Sequence, residues 1–296
     1  MSNVHVSEIE TQINQYFASQ NTQALASGTK TLYRSVFEKK LVPFCRGNNI
    51  KILDETFTDH MDHFAEFNRN HGVSAHVTQS YLTITKCLFR FHGYNIKHTY
   101  KIPRQDKQAF DLKHEKRWFS GEDIAQCKTY LFPKFHTRNH LLVRLMCETG
   151  ARVNEIAHIR AGDVRLSEKT ILLSHSKTVP RPVFFNPETA VYMSKHLKAS
   201  FPNPELDSFR YIFPSKNMIY KIIIGMLKDL GLKQKGDGRG PHTFRHYTAT
   251  NLRYNLKMDL DHVARLLGDT EITISSRYLH PTASMLQSLM SKASGW

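Results

Sequence analysis

Apolar residues recur at helical spacing along nearly the whole of this chain, and that period restricts it to a mainly helical fold. Ile9, Ile13, Tyr16 and Phe17 repeat in this way, as do Leu32, Val36 and Leu41 with Phe37 and Phe44 between them. Phe57 to Phe67 and Val77 to Phe91 continue the pattern, parted by the turn-like Asn68-Arg69-Asn70-His71-Gly72. The period lapses in three places. Residues 101–116, KIPRQDKQAFDLKHEK, are charged, hold a proline and have no apolar repeat, so 105–116 reads as a linker between domains at 1–104 and 117–296. Thr170 to Ser174 and Arg181 to Phe185 are short β-rich runs flanking a turn, which predicts a small antiparallel hairpin or sheet edge. After Pro187 the helical spacing returns, interrupted by the glycine-rich KGDGRG at 235–240. The expected class is mainly α with a small antiparallel β-sheet in the C-terminal domain. Ser120 is placed to cap one helix with Asp123 in its first turn, and Gly150 to end another whose Leu141, Leu142, Leu145 and Met146 face inward.

Charge narrows the function classes. Against 26 Asp+Glu stand 41 Lys+Arg, a formal net charge of +15 over 296 residues. Such an excess points to a polyanionic partner, because neutralising phosphates releases condensed counterions, although basic surfaces also attract anionic membranes. No apolar run approaches the roughly 18 residues a membrane span needs, and Met1 to Glu10 is polar and acidic where a signal peptide is basic and then apolar. Cys45, Cys87, Cys127 and Cys147 lie far apart among apolar neighbours, without CxxC pairing; they read as buried free thiols in a reducing cytosol, and no zinc site is expected.

Five segments carry chemistry together and little alone. In ETGARVNEI, 148–156, Arg152 follows a glycine turn at a helix start; in SHSKTVPRPVFF, 174–185, Lys177 sits at the hairpin tip, where an ammonium can reach into a cleft. In GPHTFRHYTAT, 240–250, His242 and Arg245 are three apart at a helix N-terminus, whose free amides suit a phosphate. In ARLLGDTEITISSRYLH, 264–280, a helix with Val263, Leu266 and Leu267 buried ends at Gly268, and Tyr278 follows ten residues later, after Ile272 and Ile274. The fifth feature is a set of basic residues in the N-terminal half, among them Lys30, Arg34, Lys39, Lys86 and Arg90, interleaved with aromatic and amide residues in a way that suits phosphate contacts. Taken singly, a solvated arginine, a turn lysine, a capping histidine and a core tyrosine are the ordinary explanations.

Order and spacing join them. Gly150-Ala151-Arg152 with Glu155, then Lys177, His242-Thr-Phe-Arg245-His246, and Leu267-Gly268 followed by Tyr278 resemble the tyrosine recombinase (phage integrase) family. The likeness covers 117–280, and more loosely 5–104, which resembles the all-α core-binding (SAM-like) domain of the simple two-domain Xer-type members; no further arm-binding domain fits the length. The resemblance implies a DNA strand transferase: Tyr278 attacks the scissile phosphate, Arg152 and Arg245 stabilise the charge on its nonbridging oxygens, His242 bonds the phosphate or takes the tyrosine proton, and Lys177 protonates the leaving 5′-oxygen. Glu155 buttresses the arginines, and His246 is a supporting residue. No metal or other cofactor is implied. The implied partner is a double-stranded DNA recombination site bound by a homotetramer, with a second recombinase or an accessory DNA-bending protein as further candidates, and no membrane. The implied place is the bacterial cytoplasm, at the nucleoid during action.

One position departs from the pattern. Where the family usually carries histidine, occasionally tryptophan, this chain has Asp269, and an ionised carboxylate has no donor to offer a phosphate. Three accounts fit: Asp269 turns away and pairs with a nearby arginine, it is protonated in the complex, or activity is weakened. A DNA-binding relative disabled at Asp269, and a monomer that nicks and reseals without pairing sites, are the rival readings. Met285, Leu286, Leu289 and Met290 keep helical spacing after Tyr278, which suits docking on a neighbouring subunit or packing on the same domain equally.

Overall fold

In a computed structural model, residues 8–115, 118–176 and 179–277 are described, side chains at 111–115, 276 and 277 excepted. Two compact units emerge, Met1–Asp111 and Leu112–Trp296. The first holds helices α1 (Glu8–Ala18), α2 (Gln20–Gln23), α3 (Ser27–Val36), α4 (Val42–Gly47), α5 (Met61–Asn70) and α6 (Ala75–Phe91). Its core is largely aromatic: Phe37, Phe44, Phe57, Phe64 and Phe89 are each almost completely buried, with Phe57 and Phe89 ring centroids 4.9 Å apart. The Gln12 amide that reaches this core exchanges two hydrogen bonds with the backbone of Leu53, at 2.8 and 2.9 Å. Leu32, expected inward, is half exposed.

The segment read as a linker is helical: α7 runs Arg104–Glu115, and the boundary between the two units falls inside it. Apolar periodicity could not reveal it, because its described side chains, Arg104–Phe110, are all exposed or nearly so and bury no face. It forms from residues of good intrinsic propensity, started by Pro103, whose carbonyl accepts from the Lys107 amide at 3.0 Å.

In the second unit α8 (Gly121–Thr129) opens with the expected cap: the Ser120 hydroxyl accepts from the Asp123 amide, and the Asp123 carboxylate accepts from the Ser120 amide, both at 3.0 Å. Helix α9 (His136–Thr149) is the hub, buried on every side from Asn139 to Cys147 and packed by α8, by α11 (Pro187–Ser200) and by α14 (Pro241–Thr250). Short α10 (Val153–Ala157) leads to an antiparallel sheet of β1 (Val164–Arg165), β2 (Thr170–Leu173) and β3 (Arg181–Phe184), in that order. The register pairs Ile171 with Val183 and Leu173 with Arg181. Helices α12 (Pro204–Asp207), α13 (Lys216–Asp229), α15 (Leu260–Leu267) and α16 (Glu271–Arg277) complete the unit. Leu266, expected to be buried, is half-buried, whereas Val263 and Leu267 are buried as expected; of the two isoleucines after Gly268, Ile274 is buried and Ile272 exposed.

Cys45, Cys127 and Cys147 are buried free thiols, the first two pushed up to about 12 by burial and the third higher still, so none is a nucleophile at neutral pH. Cys87 departs from the expectation: it is only partly buried, on the flank of α6 rather than its core face. Among the described residues no helix is long and apolar enough to cross a membrane.

Candidate active site

Three chain turns converge in the second unit to build a cluster of arginines. Helix α9 ends at Gly150, in the left-handed region at φ 58°; there a Cβ would also lie 2.6 Å from the Leu267 side chain, so only glycine lets the turn carrying Arg152 approach the end of α15. Helix α15 ends likewise at Gly268, φ 66°, where a Cβ would meet the Arg181 guanidinium at 2.6 to 3.0 Å. Helix α14 starts at Pro241 and is tied to α9 by the Thr248 hydroxyl, which donates to the Cys147 carbonyl at 2.9 Å. Arg152, Arg245 and the Leu267–Asp269 turn are thereby brought together from positions far apart in the chain.

Each guanidinium is held by backbone as well as by charge. Arg245, 1% exposed, donates to the carbonyls of Gly150 at 2.8 Å and Leu267 at 2.7 Å. Arg152, part-buried rather than solvated, donates to Gly268 O at 3.2 Å and to Glu155 Oε1 at 3.1 Å. Both then meet one carboxylate: Asp269 accepts from Arg152 at 2.6 Å through Oδ1 and from Arg245 at 2.5 Å through Oδ2. Asp269 pairs with arginine, as one of the three accounts held, but it does so without turning away, and it bridges both.

Beneath lies a residue that sequence reasoning missed. Arg181 opens β3 and is 7% exposed; its guanidinium donates to both oxygens of Glu155, at 2.9 and 3.0 Å, and to the Leu266 carbonyl at 2.9 Å. Glu155 therefore buttresses Arg152 and Arg181, and its second oxygen also accepts from the Arg152 amide at 2.7 Å. Burial pushes the Glu155 carboxyl up, yet hydrogen bonds and charge from Arg181 and Arg152 outweigh it and hold the group at about 2. The signal for Arg181 was present: β3 alternates inward and outward, and an inward-facing arginine needs a buried partner.

Ser176 and Arg181, the two shoulders of the hairpin turn, both reach this base. Ser176 Oγ donates to Glu155 Oε1 at 3.0 Å and accepts from Arg181 at 3.3 Å. Lys177 itself, and Tyr278 with the apolar residues after it, lie outside the described residues. Tyr278 directly follows α16, whose first turn is tied by the Thr270 hydroxyl accepting from the Thr273 amide at 3.2 Å.

His242 and Arg245 share one helix but not one depth: His242 is exposed in the first turn of α14, while Arg245 is buried. His246, buried one turn on, packs its ring 4.2 Å from that of Trp118 and 5.3 Å from that of His242. The candidate DNA contacts of the first unit lie on α3 (Lys30, Arg34), in the following turn (Lys39) and on α6 (Lys86, Arg90). Arg34, Lys39 and Arg90 are exposed; Lys30 is half-buried and donates to the Gln23 carbonyl at 2.6 Å, and Lys86 is half-buried and donates to the His98 carbonyl. Among the described residues, Asp259, Asp261 and His262 bring ligand atoms within 4.8 Å of one another, a surface group that shares no residue with the arginine cluster.

Two fixed guanidiniums, each offering an N–H to a different oxygen of one anion, form a receptor for a two-oxygen anionic group, which is what a phosphodiester presents. Over 159 residues the chain is 30% identical to tyrosine recombinase XerA of Saccharolobus solfataricus, covering 53% of this chain and 51% of that protein. It is 29% identical over 147 residues to a putative integrase/recombinase of Sinorhizobium fredii, covering 48% of this chain and 76% of the other. The XerA match thus spans about half the length of that relative. Solved structures share the fold at lower identity. The Tn1549 transposon integrase in complex with circular intermediate DNA superposes with a TM-score of 0.71 at 13% identity, covering 97% of this chain and 100% of that one. The XerH recombinase bound to palindromic difH substrate gives 0.65 at 22%, covering 100% and 91%. The pattern of the phage integrase family matches residues 121–285, a stretch that includes Arg152, Lys177, His242, Arg245, Asp269 and Tyr278, and the chain belongs to that family.

Proposed function

We propose that this protein is a site-specific recombinase that cleaves and rejoins DNA strands through a 3′-phosphotyrosine intermediate. The observation that carries the reading is the pair Arg152 and Arg245, fixed by backbone carbonyls and converging on one two-oxygen anion seat. In this reaction Tyr278 Oη bonds to phosphorus, the bond to the 5′-oxygen breaks, and that oxygen leaves with a proton from Lys177. His242 accepts the tyrosine proton or bonds the phosphate, and the two arginines bind the nonbridging oxygens where charge develops. The 5′-hydroxyl of a second strand reverses the step, so the phosphotyrosine conserves the bond energy and no nucleotide cofactor is consumed.

The first unit supplies non-specific grip: Lys30, Arg34, Lys39, Lys86 and Arg90 track the DNA backbone. The net charge of +15 supports that role. Four protomers on paired sites then exchange strands, with the residues after Tyr278 as the element for docking between subunits. Structural neighbours solved with circular intermediate DNA and with a palindromic difH substrate support the substrate class. The work is done in the cytoplasm on a mobile element, plasmid or chromosome.

Covalent trapping on a nicked suicide substrate that carries the protein's own site, drawn from DNA flanking its gene, tests the reading. Wild type should give a shifted band on a denaturing gel, and Tyr278→Phe should give none while binding the same DNA. Binding without a band in wild type would leave a DNA-binding relative that has lost cleavage.

A further inference from the structure

We propose that Asp269 is a built-in competitor for the scissile phosphate: its carboxylate occupies the anion seat between Arg152 and Arg245 and must be displaced before a phosphodiester can enter. The inference rests on the recombinase reading for what displaces it, but on geometry alone for the occupancy. Each Asp269 oxygen faces a different guanidinium, at 2.6 and 2.5 Å, the same two-point arrangement that two nonbridging phosphate oxygens require.

The contact is not needed to position the arginines. Arg245 keeps its bonds to Gly150 and Leu267, and Arg152 keeps Gly268 and Glu155, whatever Asp269 does. The carbonyl tethers of both arginines lie elsewhere, and the Asp269 carboxylate fills the space between them. Nor does release require the turn to unfold. The Asp269 amide is anchored to the Ala264 carbonyl at 3.0 Å, so the backbone stays while the side chain, 13% exposed, rotates toward water.

Charge makes the occupancy competitive rather than cooperative. Three guanidiniums, Arg152, Arg181 and Arg245, share the carboxylates of Glu155 and Asp269, and Glu155 is committed to Arg181 and Arg152. A phosphate entering beside an undisplaced Asp269 would meet an anion already bonded to the N–H groups of Arg152 and Arg245 that face the seat. Swapping one charged pair of bonds for another keeps the seat closed in the free protein and opens it to a well-placed phosphate. Two charge-assisted bonds correspond to a handicap of about a hundredfold or more in apparent phosphate affinity.

The test uses inorganic phosphate and the full-length protein, reading thermal stability against phosphate concentration for wild type, Asp269→Asn and Asp269→Ala. Both variants should be half-stabilised at about tenfold lower phosphate than wild type or less. Equal phosphate dependence in all three would overturn the proposal; a bare loss of stability without a change in phosphate response would also overturn it, since that is what a buttress predicts. Covalent trapping on the suicide substrate separates this from the recombinase reading. Tighter phosphate binding by the variants with no adduct from wild type or variants keeps the competitor and removes the recombinase. Adducts from wild type with unchanged phosphate response keep the recombinase and remove the competitor.

Discussion

Two buried arginine clusters lie in the same unit of this protein, and their charge balance separates a clamp from a receptor. Arg144, 6% exposed on the hub helix α9, meets two carboxylates: Glu188 at 2.5 Å and Glu148 at 3.8 Å. Thr189 accepts from its Nε at 2.9 Å, and Glu148 in turn accepts from the Asn186 amide at the start of α11. The positive charge is used up, and the cluster joins α9 to α11. Around Arg152, Arg181 and Arg245 the balance is reversed, with three guanidiniums for two carboxylates. Buried charge that is fully paired holds structure; buried charge left in excess, on side chains already fixed by carbonyls, waits for an anion.

That contrast can be broken in the order of its consequences. Glu155→Ala should have the largest effect, because it leaves the buried Arg181 without either of its carboxylate bonds. Urea unfolding should show a loss of about 3–5 kcal/mol; a midpoint unchanged from wild type would mean the base of the receptor holds nothing. Arg245→Lys comes next. A lysine cannot reproduce the fork that reaches two carbonyls and an anion at once, so adduct formation on the suicide substrate should fall by about 10²-fold or more. Arg144→Lys, in the clamp, should lower stability and leave the adduct rate per folded molecule near wild type. Equal losses of rate in the two variants would erase the distinction between the clusters.

Acid titration sharpens the comparison further. The Glu155 carboxyl is held at about 2, below its ordinary value of 4.5, so the unfolded chain binds its proton first as pH falls. Its stabilisation is whole above pH 4.5 and is lost as the pH drops through about 2, a contribution on the order of 3 kcal/mol. Glu155→Gln should be less stable at neutral pH and show a correspondingly shallower acid dependence in that window. A variant whose stability falls with acid as steeply as wild type would assign the titration to other carboxylates.

Much of the second unit was legible in the sequence because its signals are local. The Ser120 cap, the end of α9 at Gly150, the end of α15 at Gly268 and the β2–β3 hairpin each depend on residues within a few positions of one another. Helix α7 was not legible by the same reasoning: it has no apolar face, so the period that revealed the others was missing. Arg144 and Arg181 escaped notice for a related reason. Each is a charged residue inside an apolar run, and its burial is tolerable only because of partners that lie 44 and 26 positions away in the chain.

By itself the sequence determined the helical class, the small sheet and the order of Arg152, Lys177, His242, Arg245 and Tyr278 that identifies the family, since spacing and turn chemistry are written in neighbouring residues. Only the tertiary structure decided what Asp269 does. A carboxylate beside Gly268 is equally compatible with facing water, holding a proton or meeting an arginine. The choice depends on where Arg152 and Arg245, 117 and 24 positions away, are delivered by the ends of other helices. Electrostatic partnership falls off with distance in space and takes no account of distance along the chain.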